Sequence, residues 1–377
     1  MRTRSQWLLR PTITSVPAAR RCFAAEAAAA GSSAPRSSGG GQSERTSRLK
    51  PKPPPFPTIP TCPSPTCSCA PMPGDLDIDH KSPLNGVMAG YAEHVLVCTG
   101  QDDWASRIEE DNSGDNLAAD LKELFGRGGK YRDPFHNVSV LNSSMPSSIP
   151  PRREVQTTSA YILPSFKYVP FLPRVSFEAV QALAKGYLLP TTLHAAHGGL
   201  SPIHRDLMTR DETYRSLLPG VQDVDEVLVL ICGHGGRDER CGVMGPLLRG
   251  EFEEKLGSTD GFEVRRGPVV VRDVVEEEAT QIEGSVGEEE QKVTGVRVGL
   301  VSHIGGHKFA GNVIIYLPPK LLQKDGRPHP LAGKGIWYGR VEPKHVEGLV
   351  NETVVKGNVV EDMFRGGIDS DRKILRL

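Results

Sequence analysis

The segment ICGHGGRDERCGVMGPLL, residues 231–248, carries Cys232 and Cys241 nine positions apart, with glycines, His234, Arg237, Asp238 and Arg240 between them. Further on, VSHIGGHKF brings His303 and His307, four positions apart, again behind an apolar run. The two cysteines admit three readings: buried thiols, a disulfide, or metal ligands. A mitochondrial or cytosolic protein rarely keeps a structural disulfide. Glycines let the backbone turn tightly and point N–H groups at an anion or at sulfide, which favours ligation. Thiolates bind soft or borderline metals, and two imidazoles would complete a mixed sulfur–nitrogen set. Zinc and iron–sulfur both stay open on composition. Zinc knuckles place their cysteines roughly two to four residues apart, whereas eight residues separate this pair. A long glycine-rich loop over a group larger than one ion suits a [2Fe–2S] rhomb better.

Both loops need strands to hold them, and the flanking sequence supplies candidates. VDEVLVLIC reads as a continuous apolar strand and GVMGPLLRGEFEEKLG as a helix with Pro246 near its first turn. FEVRRGPVVVRD and GVRVGLVSHIGG contain strands, and NVIIYLP and GIWYGRV read as an antiparallel pair before the helix EPKHVEGLVNETVVKG. The order strand, helix, strand, strand, strand, helix is close to a thioredoxin-type layout. Upstream, EHVLVCTG, NVSVLNSS and SAYILPSF are strand candidates. DNLAADLKELFG and SFEAVQALAKGYL are helix candidates, the second capped by Ser176. Strand and helix alternate in both halves, so the expected class is α/β.

The chain has 377 residues and a formal net charge of −1, so no global basic field argues for nucleic acid. No apolar run approaches the roughly eighteen residues of a membrane span, and a soluble mature protein is expected. Residues 1–23 hold Arg2, Arg4, Arg10, Arg20 and Arg21 before the first acid, Glu26. This composition predicts a mitochondrial transit peptide, with the matrix favoured over the intermembrane space. Residues 24–74, rich in Pro, Ser and Gly, are expected to be a disordered linker. The remainder is expected as an N-terminal α/β lobe at 75–218, a C-terminal lobe at 219–356 with a solvated acidic loop at 273–291, and a tail at 357–377.

CGHGGRDERCG followed by HIGGHKFAGNVIIYLP resembles the sucrase/ferredoxin-like family of thioredoxin-like ferredoxins. The resemblance implies two thioredoxin-like ferredoxin-type lobes, the first degenerate and the second carrying a [2Fe–2S] cluster. In this branch the second ligand pair is H-x3-H, so Cys232 and Cys241 would hold one iron and His303 and His307 the other. It implies a one-electron, proton-coupled redox carrier in redox homeostasis rather than a substrate-specific enzyme. Partners would be redox donor and acceptor proteins and the mitochondrial cluster-assembly machinery, with no nucleic acid.

His234 completes half of a Rieske-type Cys-x-His loop, but Met244 stands where the other half needs histidine, so His234 is expected behind the ligands or at the surface and not as a ligand, the plainer alternative being a hydrogen bond to its own loop. Arg237, Asp238 and Arg240 are expected to brace that loop through an internal ion pair. Lys308 reads as a solvated charge and Cys98 as a core thiol. Cys62, Cys67 and Cys69 lie within eight residues of one another and read equally as redox thiols or an inert stretch. Two alternatives follow from the same residues: a zinc-stabilised binding module, or a thiol oxidoreductase working through that trio.

Overall fold

The computed structural model describes residues 53–111, 116–151, 156–173, 176–271 and 293–377. The transit segment, the linker before residue 53 and the acidic loop at 273–291 lie outside the described residues. The first half comprises β1 (Thr58–Ile59), β2 (Glu93–Cys98), α1 (Leu117–Phe125), β3 (Val138–Ser143), β4 (Thr157–Leu163), β5 (Lys167–Pro173) and α2 (Phe177–Leu183). Next come α3 (Pro202–Met208), β6 (Gln222–Asp223), β7 (Val227–Cys232), α4 (Glu239–Gly257), β8 (Phe262–Val264) and β9 (Thr294–Val301). The chain closes with β10 (Val313–Leu317), β11 (Lys334–Tyr338), α5 (Pro343–Leu349), β12 (Val359–Val360), β13 (Phe364–Asp369) and β14 (Ile374–Leu375).

All but β1 and β12 join one mixed sheet in the order β14-β13-β11-β10-β7-β9-β3-β2-β4-β5-β6, with β8 on the edge of β9. The class is α/β. β2 and β7 are buried along their whole length, which is why β7 and the VLVC part of β2 read as continuous apolar runs rather than alternating ones. α4 buries Cys241, Met244, Leu248, Phe252 and Leu256, a stripe at helical spacing that packs over β7 and β9.

One pairing scheme occurs twice. β2 pairs β3 in parallel and β4 antiparallel, and β4 pairs β5 antiparallel. β7 pairs β9 in parallel and β10 antiparallel, and β10 pairs β11 antiparallel. The two sets meet where the ends of β3 and β9 run antiparallel, at Ser143 opposite Val301. Ser302 N–H donates to Asn142 O at 2.9 Å and Ser144 N–H to Leu300 O at 2.9 Å. Cys232, Val301, Ser143 and Cys98 therefore share one row across four strands. The loop after β2 is thereby brought to the site that β7 and β9 present.

β5 is not among the expected strands, and the expected tail and the described part of the expected linker are structured. Residues 53–74, expected as linker, form a strap along α5 and α4. β1 pairs β12 in parallel, and Glu347 accepts from Thr66 N–H at 2.9 Å. Ala70 N–H donates to Glu251 at 2.8 Å and Lys255 Nζ to Ser68 O at 3.2 Å. Proline lowers the ordering entropy of an extended segment, so a few such bonds suffice to seat it. Residues 357–377, expected as a tail, contribute β13 and β14 to the sheet through pairing with β11. Their glycines hid the strand signal.

Candidate metal centre

Cys232 is the last residue of β7, and the chain turns through Gly233–Arg237 into α4. The helix begins at Glu239, three residues earlier than Gly242, because Asp238 caps it: its carboxylate accepts from Arg240 N–H at 3.2 Å. Cys241 thus lies in the first helical turn and not in the loop. The two segments cross at van der Waals contact. A Cβ on Gly245 would stand 2.5 Å from Gly233 Cα, so only hydrogen fits there.

Cys232 and Cys241 are buried and unbridged. Cys232 is held well below the ordinary thiol value, chiefly by the Cys241 thiol and against the effect of burial, with His303 and the N–H groups of Ile304 and His234 adding to the effect. Cys241 is pushed up by the same contact with Cys232 and by burial. The two shifts are opposite because the thiols titrate as a coupled pair.

His303 follows β9 directly, and Gly305 and Gly306, at φ 84° and 75°, turn the chain back so that His307 lies beside it. The two rings stand 5.4 Å apart at 36°. Each Nδ1 is buried with no hydrogen-bond partner. His307 Nε2 faces outward, 3.9 Å from Asp238 Oδ2. A buried ring nitrogen without a partner is costly unless something absent from the protein fills the position. Free thiols at the end of β7 and in the first turn of α4, with two orphaned imidazole nitrogens in the loop after β9, fit a thiolate- and imidazole-ligated group. Among the described residues, no three His, Cys, Asp or Glu side chains gather as they would around a single ion.

His234 is buried, and its ring nitrogens bond outside its own loop. Nδ1 accepts the His303 N–H at 3.0 Å, and Nε2 faces Ala105 O at 2.9 Å and Trp104 O at 3.2 Å. Asp103 accepts from Gly236 N–H at 3.0 Å, and Arg249 pairs with Asp102. The loop after β2 therefore clamps the cysteine loop. Asp238 and Arg240 form the expected ion pair through two contacts of 2.9 Å, and Arg240 also donates to Asp77 O at 2.8 Å. Arg237 is exposed and pairs with no carboxylate among the described residues. Lys308 is an exposed charge, as expected, and pairs with Asp79 at 2.9 Å.

Arg365 is a site residue that the sequence concealed. It lies on β13, 2% exposed, beneath the histidine loop. Nη1 donates to Gly305 O at 3.2 Å and to Asn312 Oδ1 at 2.6 Å, and Nε donates to Val87 O at 2.9 Å. No local motif announces it, since only the β11–β13 pairing brings it there.

The remaining thiols lie elsewhere. Cys62 is packed on Gly348, and burial pushes it up to about 12. Cys67 is exposed and contacts Glu347 at 3.1 Å; Cys69 is half-buried on the same strap. Cys98 is a core thiol, pushed up to about 12 by burial.

A mixed α/β sheet whose β7 end, following helix α4 and neighbouring β9 loop carry two thiols and two imidazoles is an architecture of ferredoxin-like type. The chain belongs to the Sucrase/ferredoxin-like family, whose profile matches residues 84–366. It is 27% identical over 325 residues to altered inheritance of mitochondria protein 32 of Meyerozyma guilliermondii, covering 82% of this chain and 95% of that protein. Identity to the protein of the same name in Clavispora lusitaniae is 29% over 317 residues, covering 82% and 95%. Actin patches distal protein 1 of Saccharomyces cerevisiae is 28% identical over 296 residues, covering 74% of each chain. No solved structure matches the chain.

Proposed function

We propose that this chain is a mitochondrial iron–sulfur protein, a one-electron carrier in which Cys232 and Cys241 hold one iron of a [2Fe–2S] cluster and His303 and His307 the other. The observations that support the reading are two buried, unbridged thiols, with His303 in hydrogen-bonding reach of Cys232, and two buried imidazole nitrogens that have no protein partner. A ligand set divided between two irons asks for two side chains on each. The repeated strand order supports two thioredoxin-like ferredoxin-type lobes. The first retains Cys98 at the position of Cys232 and none of the other ligands.

When bound, such a cluster supplies a centre that takes up and releases one electron, at a higher potential than an all-thiolate one. The chain's own residues set the rest. With Nδ1 turned inward as the ligating atom, His307 would carry a ring proton on Nε2, at the solvent edge beside Asp238. Loss of that proton on oxidation would couple electron to proton transfer, and the potential would fall as pH rises. His234 orients the backbone that bears His303. The arginine-rich opening and the names of the relatives both support a mitochondrial address.

The test is full-length protein purified without oxygen. A red-brown solution with visible absorption, an electron-resonance signal on reduction, and about two irons and two sulfides per chain are expected. Zinc without sulfide or colour would replace the proposal with a structural zinc site, and a protein free of both would remove the centre altogether.

A further inference from the structure

Arg365 is a full charge in an almost wholly buried position, and among the described residues it has no carboxylate partner. Its acceptors are neutral: the carbonyls of Val87 and Gly305 and the side-chain oxygen of Asn312. Its guanidinium lies 5.8 Å from the Phe309 ring centre and 5.6 Å from that of Trp337. A Cβ on Gly306 would stand 2.6 Å from Nη2, so the histidine loop is folded directly onto the guanidinium. An unpaired buried cation is among the costliest features a fold can carry, unless an anion compensates it from nearby.

We propose that Arg365 is the positioning residue and electrostatic counter-charge of the cluster site, favouring the one-electron-reduced state over the oxidised one. The inference rests on the cluster proposed above. Two ferric ions, two sulfides, two thiolates and two neutral imidazoles sum to no charge, and one added electron leaves a single negative charge. A fixed cation nearby stabilises only the latter, so it raises the potential. The surroundings agree in sign. Burial pulls Arg365 down to about 10, and the groups that oppose this are Cys232 and Cys241. Asn312, by donating to Gly306 O at 3.0 Å while accepting from Arg365, fixes the guanidinium and the histidine loop to one another.

The experiment compares the parent, Arg365→Met, Arg365→Lys and Asn312→Asp as full chains loaded under anaerobic conditions. Iron and sulfide are counted first, and midpoint potentials are then read by optical titration. Arg365→Met should lower the reduced-to-oxidised ratio about tenfold at the parent's midpoint, which for one electron is about 59 mV. Arg365→Lys, which keeps the charge, should restore most of it. Asn312→Asp leaves the guanidinium in place but neutralises it, and should shift the potential in the same direction as Met even if Arg365→Met does not load. A parent without iron and sulfide overturns the cluster proposal and this inference together. A loaded parent whose Met or Asp variant keeps the parental midpoint overturns this inference alone, as does a Lys variant displaced as far as Met.

Discussion

His234 Nδ1 accepts the backbone N–H of His303 at 3.0 Å, while the opposite nitrogen of the same ring meets Ala105 O at 2.9 Å. One imidazole thus ties the cysteine loop, the histidine loop and the loop after β2 together. Because Nδ1 accepts, the ring proton is on Nε2, and the geometry selects the neutral tautomer. His234→Ala should leave a buried N–H and a buried carbonyl unpaired, at a cost of roughly 2 kcal/mol or more. Urea unfolding of the metal-free full chain measures this. A change under about 0.5 kcal/mol would mean the ring carries no structural load.

Replacing His303 and His307 together by cysteine should keep a cluster, lower its midpoint and remove its dependence on pH, because no ligand would retain a titrating ring proton. Potentiometry across pH 6–9 reads both effects. A double variant whose midpoint still moved with pH would show that the coupled proton is not on these rings.

Asp238 is held below the usual carboxylate range, first by its hydrogen bond with Arg240. A depressed folded-state value means that its contribution is present above the unfolded value and lost as pH falls through the folded one. Asp238→Asn should therefore destabilise the metal-free protein by about 0.5–1 kcal/mol at neutral pH, and by nothing once both states are protonated in acid. Thermal unfolding of the two proteins between pH 7 and pH 2 decides it; a constant offset over that range would refute the assignment.

Gly245 lies inside a helix, where alanine ordinarily stabilises by roughly 1 kcal/mol. Here the added carbon would meet Gly233 Cα at 2.5 Å, backbone against backbone. The sign should reverse, with Gly245→Ala losing roughly 1–3 kcal/mol. Gly250 faces open space on the same helix and serves as the control, where Gly250→Ala should stabilise.

Iodoacetamide followed by mass spectrometry distinguishes an ordered strap from a free linker. Cys62 is packed against α5 and raised to about 12, so it should label far more slowly than the exposed Cys67 in native protein and equally fast in urea. Equal native rates would show that the strap does not dock.

Much of this molecule can be read directly from its residues. The apolar runs within β2 and along β7, the amphipathic spacing of α1, the serine cap of α2 and the antiparallel pair β10–β11 all announce themselves locally. So do the four candidate ligands, because turns that must pass close to a bound group require glycine beside cysteine or histidine. Local signal failed in two kinds of place. Prolines and glycines masked strands in KYVPFLP and FRGGID, where pairing with neighbouring strands outweighs weak intrinsic preference. Asp238 started α4 early because a cap acts through its side chain and not through hydrophobic period.

What only the folded chain decided concerns charge and support. Arg365 reaches the histidine loop because β13 pairs β11, and His234 reaches Ala105 because β3 and β9 meet end to end. Those contacts join residues more than fifty positions apart, and no periodicity or motif encodes them. The types of atom that could bind were written in the chain; their desolvation, the unpaired cation beneath them and the clamp across them exist only once the strands are set side by side.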